Sequence, residues 1–136
     1  MDLLHIGPLR QRNYLTLSGG EKQRVQFARV LTQIWEIKDG MRYLLLDEPL
    51  NSLDIRYQQE FLTTARKLLN RQTVVVAIIH DINLAIRFGD DFIFMKDGKI
   101  LASGDVNIIT PELINEVFQV NARITMSEGK PFVILV

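Results

Sequence analysis

The chain has 136 residues, 47% of them hydrophobic and 24% charged, enough for one compact core and too few for two ordinary domains, so a single globular unit is predicted. Sixteen basic residues cancel sixteen acidic ones, which leaves no global field to recruit nucleic acid or an anionic membrane surface; any anion must be bound by local geometry. The absence of cysteine excludes disulfides, thiol nucleophiles and Cys-ligated zinc, and fits a reducing interior.

The two histidines, His5 and His80, are isolated and too few for a protein-borne metal cluster. The longest aliphatic run, Val74 to Ile79, is far short of the roughly 20 apolar residues that span a bilayer, and no signal peptide opens the chain. The expectation is a protein that starts soluble and stays on the side where it is made.

Met1 to Thr16 mixes Gly7, Pro8 and several charges without a clear period, which predicts a loop or a frayed helical turn. Ser18 followed by Glu21 is a capping-box pattern, and Val25, Ala28, Leu31 and Trp35 then recur at helical spacing, predicting a helix from about Gly20 to Glu36. Gly40 breaks it. Tyr43 to Leu46 does not alternate with polar residues and predicts a short, wholly buried strand, with Asp47 and Glu48 at its end. Pro49 stops that strand, Asn51 to Asp54 supplies turn and cap chemistry, and Phe61, Ala65, Leu68 and Leu69 mark a second amphipathic helix.

Thr73 to Ile79 predicts a second buried, β-branched strand that delivers His80 and Asp81, with a short helix through Leu84, Ala85 and Phe88 beyond it. Strand, helix, strand, helix is the alternation of an α/β fold with a parallel sheet. Asp97-Gly98 between the apolar runs Phe92 to Met95 and Ile100 to Ala102 predicts a hairpin that adds antiparallel strands to the sheet. Thr110-Pro111 places a cap and a helix-starting proline ahead of Leu113, Ile114, Val117 and Phe118, and a last hairpin forms around Glu128-Gly129-Lys130. There are no repeats, low-complexity stretches or linkers.

Ser18, Gly19 and Gly20 stand where a capped helix begins, with unpaired N–H groups and the positive end of the helix dipole, a geometry that binds phosphate. A well-capped helix after a tight turn accounts for the same residues, and only the extension through Glu21, Gln23 and Arg24 favours the phosphate reading. Asp47 and Glu48 lie at the carboxyl end of a leucine-rich strand, where open α/β sheets place ligands. Asp47 can hold Mg²⁺ through its water shell, and Glu48 can take a proton from an attacking water; an exposed acidic turn before proline is the bland alternative. His80 can bridge attacking water and terminal phosphate or be a satisfied structural histidine. Asp54 can cap a helix as readily as serve a site, and Asp81 reads as the cap of the helix that follows.

LSGGEKQRV at Leu17 to Val25, YLLLDEP at Tyr43 to Pro49, NSLD at Asn51 to Asp54 and the strand ending in His80, in that order, resemble the ABC-transporter ATPase family from its signature motif to its C-terminus. The fold that this implies is a partial P-loop NTPase-like α/β domain, with parallel strands, flanking helices and C-terminal antiparallel hairpins. It divides into the end of the helical subdomain with the signature loop (1–19), an α/β core (20–110) and a C-terminal helix and hairpin (111–136). The resemblance implies that Ser18, Gly19, Gly20 and Glu21 contact ATP in trans, Asp47 takes the Mg²⁺ role, Glu48 is the catalytic base, Asp54 falls in the D-loop and His80 in the switch position.

The implied partners are a second ATPase subunit in a head-to-tail homodimer, transmembrane permease subunits and, indirectly, a substrate-binding protein, with no nucleic acid. The implied location is cytoplasmic, peripheral on the inner face of the membrane. A P-loop of the form G-x-x-x-x-G-K-[ST] appears nowhere among the eight glycines, so the expectation is the second half of such a subunit, inactive by itself.

ARVLTQIW, VVVAIIHDINLAIRFGD, GKILASG and TPELINEVFQV resemble the ATPases of bacterial importers for haem, iron-siderophores and cobalamin, the haem branch above all. Two rivals are a non-transport member of the family and a non-catalytic interaction module.

Overall fold

Leu9 and Leu17 are buried in an opening segment that forms two short 3₁₀ turns, Gly7–Leu9 and Tyr14–Thr16, where the sequence suggests a loop or a frayed turn. Pro8 presets the first, and the Asn13 side chain caps the second by accepting from the Leu15 N–H at 3.0 Å. The computed structural model describes residues 4–35, 40–51, 53–68 and 72–136. Glu36, Ser52 and Leu69 lie outside them, as do the side chains of Trp35 and Leu68.

Helix α1 (Gly19–Trp35) turns Phe27 and Leu31 inward, four residues apart on one face. Strand β1 (Arg42–Leu46) pairs in parallel with β2 (Thr73–Ala77), in the register Arg42↔Thr73 through Leu46↔Ala77. Between them, helix α2 (Ile55–Leu68) buries Phe61, Leu62 and Ala65. The rings of Phe27 and Phe61 lie 3.8 Å apart between centroids, which pins α1 to α2. Burying each such ring stabilises by about 1.5–3 kcal/mol.

The two strands are not buried on both faces as the sequence predicts. Leu44 is 2% exposed, but Tyr43 is 62% and Leu45 73% exposed, and their register partners Val74 and Val76 are 37% and 48% exposed. Side chains alternate between faces along a strand, and only the Leu44 face is covered here. The apolar composition of the run therefore reports what the strand is suited to, while the structure buries half of it.

His80 begins a second compact unit (His80–Val136), after the first (Met1–Ile79). Its core is Ile86, Phe92, Phe94, Ile109, Ile114 and Val133. Helix α3 (Ile82–Phe88) starts at Asp81, whose carboxylate accepts from the Asn83 and Leu84 N–H groups at 2.9 and 3.0 Å, as expected of a cap. Strands β3 (Phe92–Lys96) and β4 (Lys99–Gly104) form a hairpin closed by Asp97 and Gly98, both with positive φ.

Helix α4 (Pro111–Phe118) is capped by Thr110, and β5 (Ala122–Ser127) pairs with β6 (Lys130–Leu135) around Glu128 and Gly129. Among the described residues each hairpin is a two-stranded sheet of its own, a correction to the expectation that β3 and β4 extend the parallel one. The fold is thus α/β with a parallel strand pair, helices and C-terminal antiparallel hairpins. No helix among the described residues is long and apolar enough to cross a membrane.

Candidate functional site

The capping box at the start of α1 is closed in both directions. The Ser18 N–H donates to Glu21 Oε2 at 2.8 Å, and the Glu21 N–H donates to Ser18 Oγ at 3.2 Å. Arg12 Nη1 adds a 2.7 Å bond to Glu21 Oε1, and its Nη2 reaches the Thr16 carbonyl at 3.4 Å. The Ser18 backbone N–H, seconded by its hydroxyl and by the nearby Arg12 guanidinium, holds the Glu21 carboxyl below the usual carboxylate range, against an opposing push from burial. Glu21 is therefore an anion committed to the helix start. The Ser18 hydroxyl accepts from the Glu21 N–H within the box, on a residue that is exposed.

The turn after β1 carries the acidic pair. The ladder runs one bond past the strand, Ile78 N–H to Leu46 O at 2.9 Å, and the chain then leaves the sheet through exposed Asp47 and half-buried Glu48 into buried Pro49 and Leu50. Glu48 has φ 45°, in the left-handed region, where a side chain is disfavoured by roughly 1–2 kcal/mol. Its carbonyl accepts the Asn51 N–H at 3.2 Å, and its carboxylate accepts from the Asn51 side-chain amide. From α1, Gln23 Nε2 donates to Pro49 O at 2.7 Å and to Glu48 O at 3.4 Å. An open cleft of about 200 Å³ lies alongside, lined by Gln23, Phe27, Leu46, Asp47 and Pro49 among others.

The remaining candidates are placed more plainly. Asp54 caps α2, its Oδ1 accepting the Tyr57 N–H at 3.0 Å, so its structural role is occupied. His80 is exposed, three residues beyond the end of β2 and one before the Asp81 cap, in the second unit. Among the described residues no group of three His, Cys, Asp or Glu side chains could enclose a metal ion. The lone exposed carboxylate of Asp47 suits Mg²⁺, an ion that keeps its waters and takes few direct carboxylates.

No family model matches the chain. Over 98% of its length it is 42% identical to the Hemin import ATP-binding protein HmuV of Bradyrhizobium diazoefficiens, and over 83% it is 51% identical to the protein of that name from Gloeobacter violaceus. This chain belongs to the ABC-transporter ATPase family. It spans about half the length of the curated relatives it matches, 51% and 42% of these two. Its fold matches that of an inward-facing metal-chelate type ABC transporter with a TM-score of 0.76 at 24% identity, covering 99% of this chain and 53% of that one.

Within this ABC ATPase chain, the contacts that organise the site come partly from residues that pattern reading passes over. Gln23 stands inside the LSGGEKQRV stretch, but nothing in its spacing announces that it reaches two carbonyls some 25 residues away. Asn51 is visible as a turn residue and not as a partner of Glu48. Arg12 lies in an unpatterned segment, and only the rule that a carboxylate attracts a nearby guanidinium could have found it.

Proposed function

We propose that this chain supplies the signature-to-C-terminus part of the ATPase of a bacterial haem importer, and that Glu48 is its general base. The observation that carries this reading is the Asp47–Glu48 turn at the carboxyl end of β1, with a left-handed Glu48, in a chain 42–51% identical to proteins named for hemin import and ATP binding. Glu48 accepts a proton from the water that attacks the terminal phosphate. Ser18, Gly19 and Gly20 present hydroxyl and backbone N–H donors to that phosphate across a head-to-tail dimer, with Glu21 fixing the loop. Asp47 holds Mg²⁺ through water, and the ion when bound neutralises charge on the phosphate oxygens.

By the family resemblance His80 takes the switch role, and Asp54 lies where the two subunits meet. The dimer works against transmembrane permease subunits on the cytoplasmic face of the membrane, which receive haem from a substrate-binding protein.

The test joins this chain to the part of the Bradyrhizobium protein that it does not cover and measures phosphate release from ATP. The expected result is Mg²⁺-dependent turnover by the fusion and none by the 136-residue chain alone. A well-folded fusion that binds ATP without hydrolysing it would favour a non-catalytic interaction module.

A further inference from the structure

We infer that Gln23 is a positioning residue that holds Glu48 in its left-handed conformation and so sets where its carboxylate points; this rests on the reading of Glu48 as the base. Two independent preferences act against the observed backbone at Glu48. A side chain disfavours positive φ, and the residue before a proline is driven toward extended conformations. Glu48 precedes Pro49 and still has φ 45°. Such a conformation persists only where neighbours over-determine it. Relaxation to the extended form would carry the side chain to the other face of the chain.

The neighbours that oppose relaxation include the Asn51 N–H on Glu48 O at 3.2 Å and the bifurcated Gln23 amide on Glu48 O at 3.4 Å and Pro49 O at 2.7 Å. Pro49 has no N–H of its own to anchor the turn, so its carbonyl is the available handle, and Gln23 holds it with the shorter bond. Gln23 sits just over one turn into α1 from the Ser18 capping box. One side chain therefore joins the phosphate-directed helix start to the peptide that carries the base.

Gln23→Glu keeps the size of the side chain but points carboxylate oxygens at two carbonyls; Gln23→Lys restores a donor. In the fused ATPase, Gln23→Glu is expected to lower kcat about tenfold or more, with KM for ATP within about twofold, and Gln23→Lys to recover most of that loss. In the 136-residue chain itself, the Glu48 Cα chemical shift moves toward its extended value in Gln23→Glu and returns in Gln23→Lys, a readout that needs no activity.

Unchanged kcat, a rise in KM with kcat kept, equal loss in both variants, or an unmoved Glu48 shift each overturns the proposal. Glu48→Gln, measured in parallel, separates the two layers. If it is inactive while Gln23→Glu behaves as wild type, the base stands and the positioning fails. If it is active, both fall.

Discussion

Glu48 can be tested with two substitutions whose consequences differ. Glu48→Gln preserves shape, and its amide oxygen can still accept from the Asn51 side chain that now meets the carboxylate. The turn should be kept and the proton acceptor lost. General-base catalysis contributes about 10²–10⁴ in rate, so the fused ATPase should lose that factor in kcat, about 3–5.5 kcal/mol of transition-state stabilisation, with ATP binding kept.

Glu48→Gly removes the base and also the backbone conflict at φ 45°. Relief of the left-handed conformation gains about 1–2 kcal/mol. Loss of the Asn51 contact offsets about 1 kcal/mol, and the added freedom of glycine in the unfolded chain about 0.5–1 kcal/mol. The stability of Glu48→Gly should therefore lie within about 1 kcal/mol of wild type while turnover is lost as fully as in Glu48→Gln. Stopped-flow phosphate release and urea denaturation read the two quantities. Turnover by Glu48→Gln within tenfold of wild type would remove Glu48 from the mechanism, and a large loss of stability in Glu48→Gly would show that its side chain, not its backbone, holds the turn.

Ser18→Arg places bulk at the exposed helix start and should abolish hydrolysis and ATP-dependent dimerisation of the fusion; a variant that dimerises normally on size-exclusion chromatography would refute the trans contact. The lowered Glu21 pKa favours the folded state above the ordinary carboxylate pKa of about 4.3, and this benefit is lost as pH falls through the lower folded value. The melting-temperature difference between wild type and Glu21→Gln should therefore be present at neutral pH and vanish in acid; a constant difference would deny the ion its role. Phe61→Ala removes a ring that is 3% exposed and packed on Phe27, and should destabilise by about 3–5 kcal/mol, read as a melting temperature lower by roughly 10 °C or more.

Where local chemistry decides structure, the sequence was a sufficient guide. The Ser18–Glu21 box, the Asp81 and Thr110 caps and the Asp97-Gly98 turn all depend on neighbours a few residues away. The parallel pairing of β1 with β2 followed from the alternation of strands and helices. What could not be read was which faces are covered and which side chains meet when distant elements come together. The exposure of Tyr43 and Leu45 depends on what covers a face, to which apolar composition is blind. The left-handed Glu48 runs against both its residue type and the proline after it, so local rules point the wrong way, and the Gln23 amide that opposes them arrives from α1, some 25 residues earlier in the chain.

The uncovered side of β1 and β2 also governs how the chain behaves in a tube. Val74, Val76 and Ile78 all stand at least a third exposed within an uncharged, proline-free run from Thr73 to Ile79, the composition that favours intermolecular strand stacking. Beside it, Tyr43 and Leu45 present a further apolar surface to water. Pairing between copies through such a ribbon is favoured as protein concentration rises, so the melting temperature of this chain is to be compared at more than one concentration.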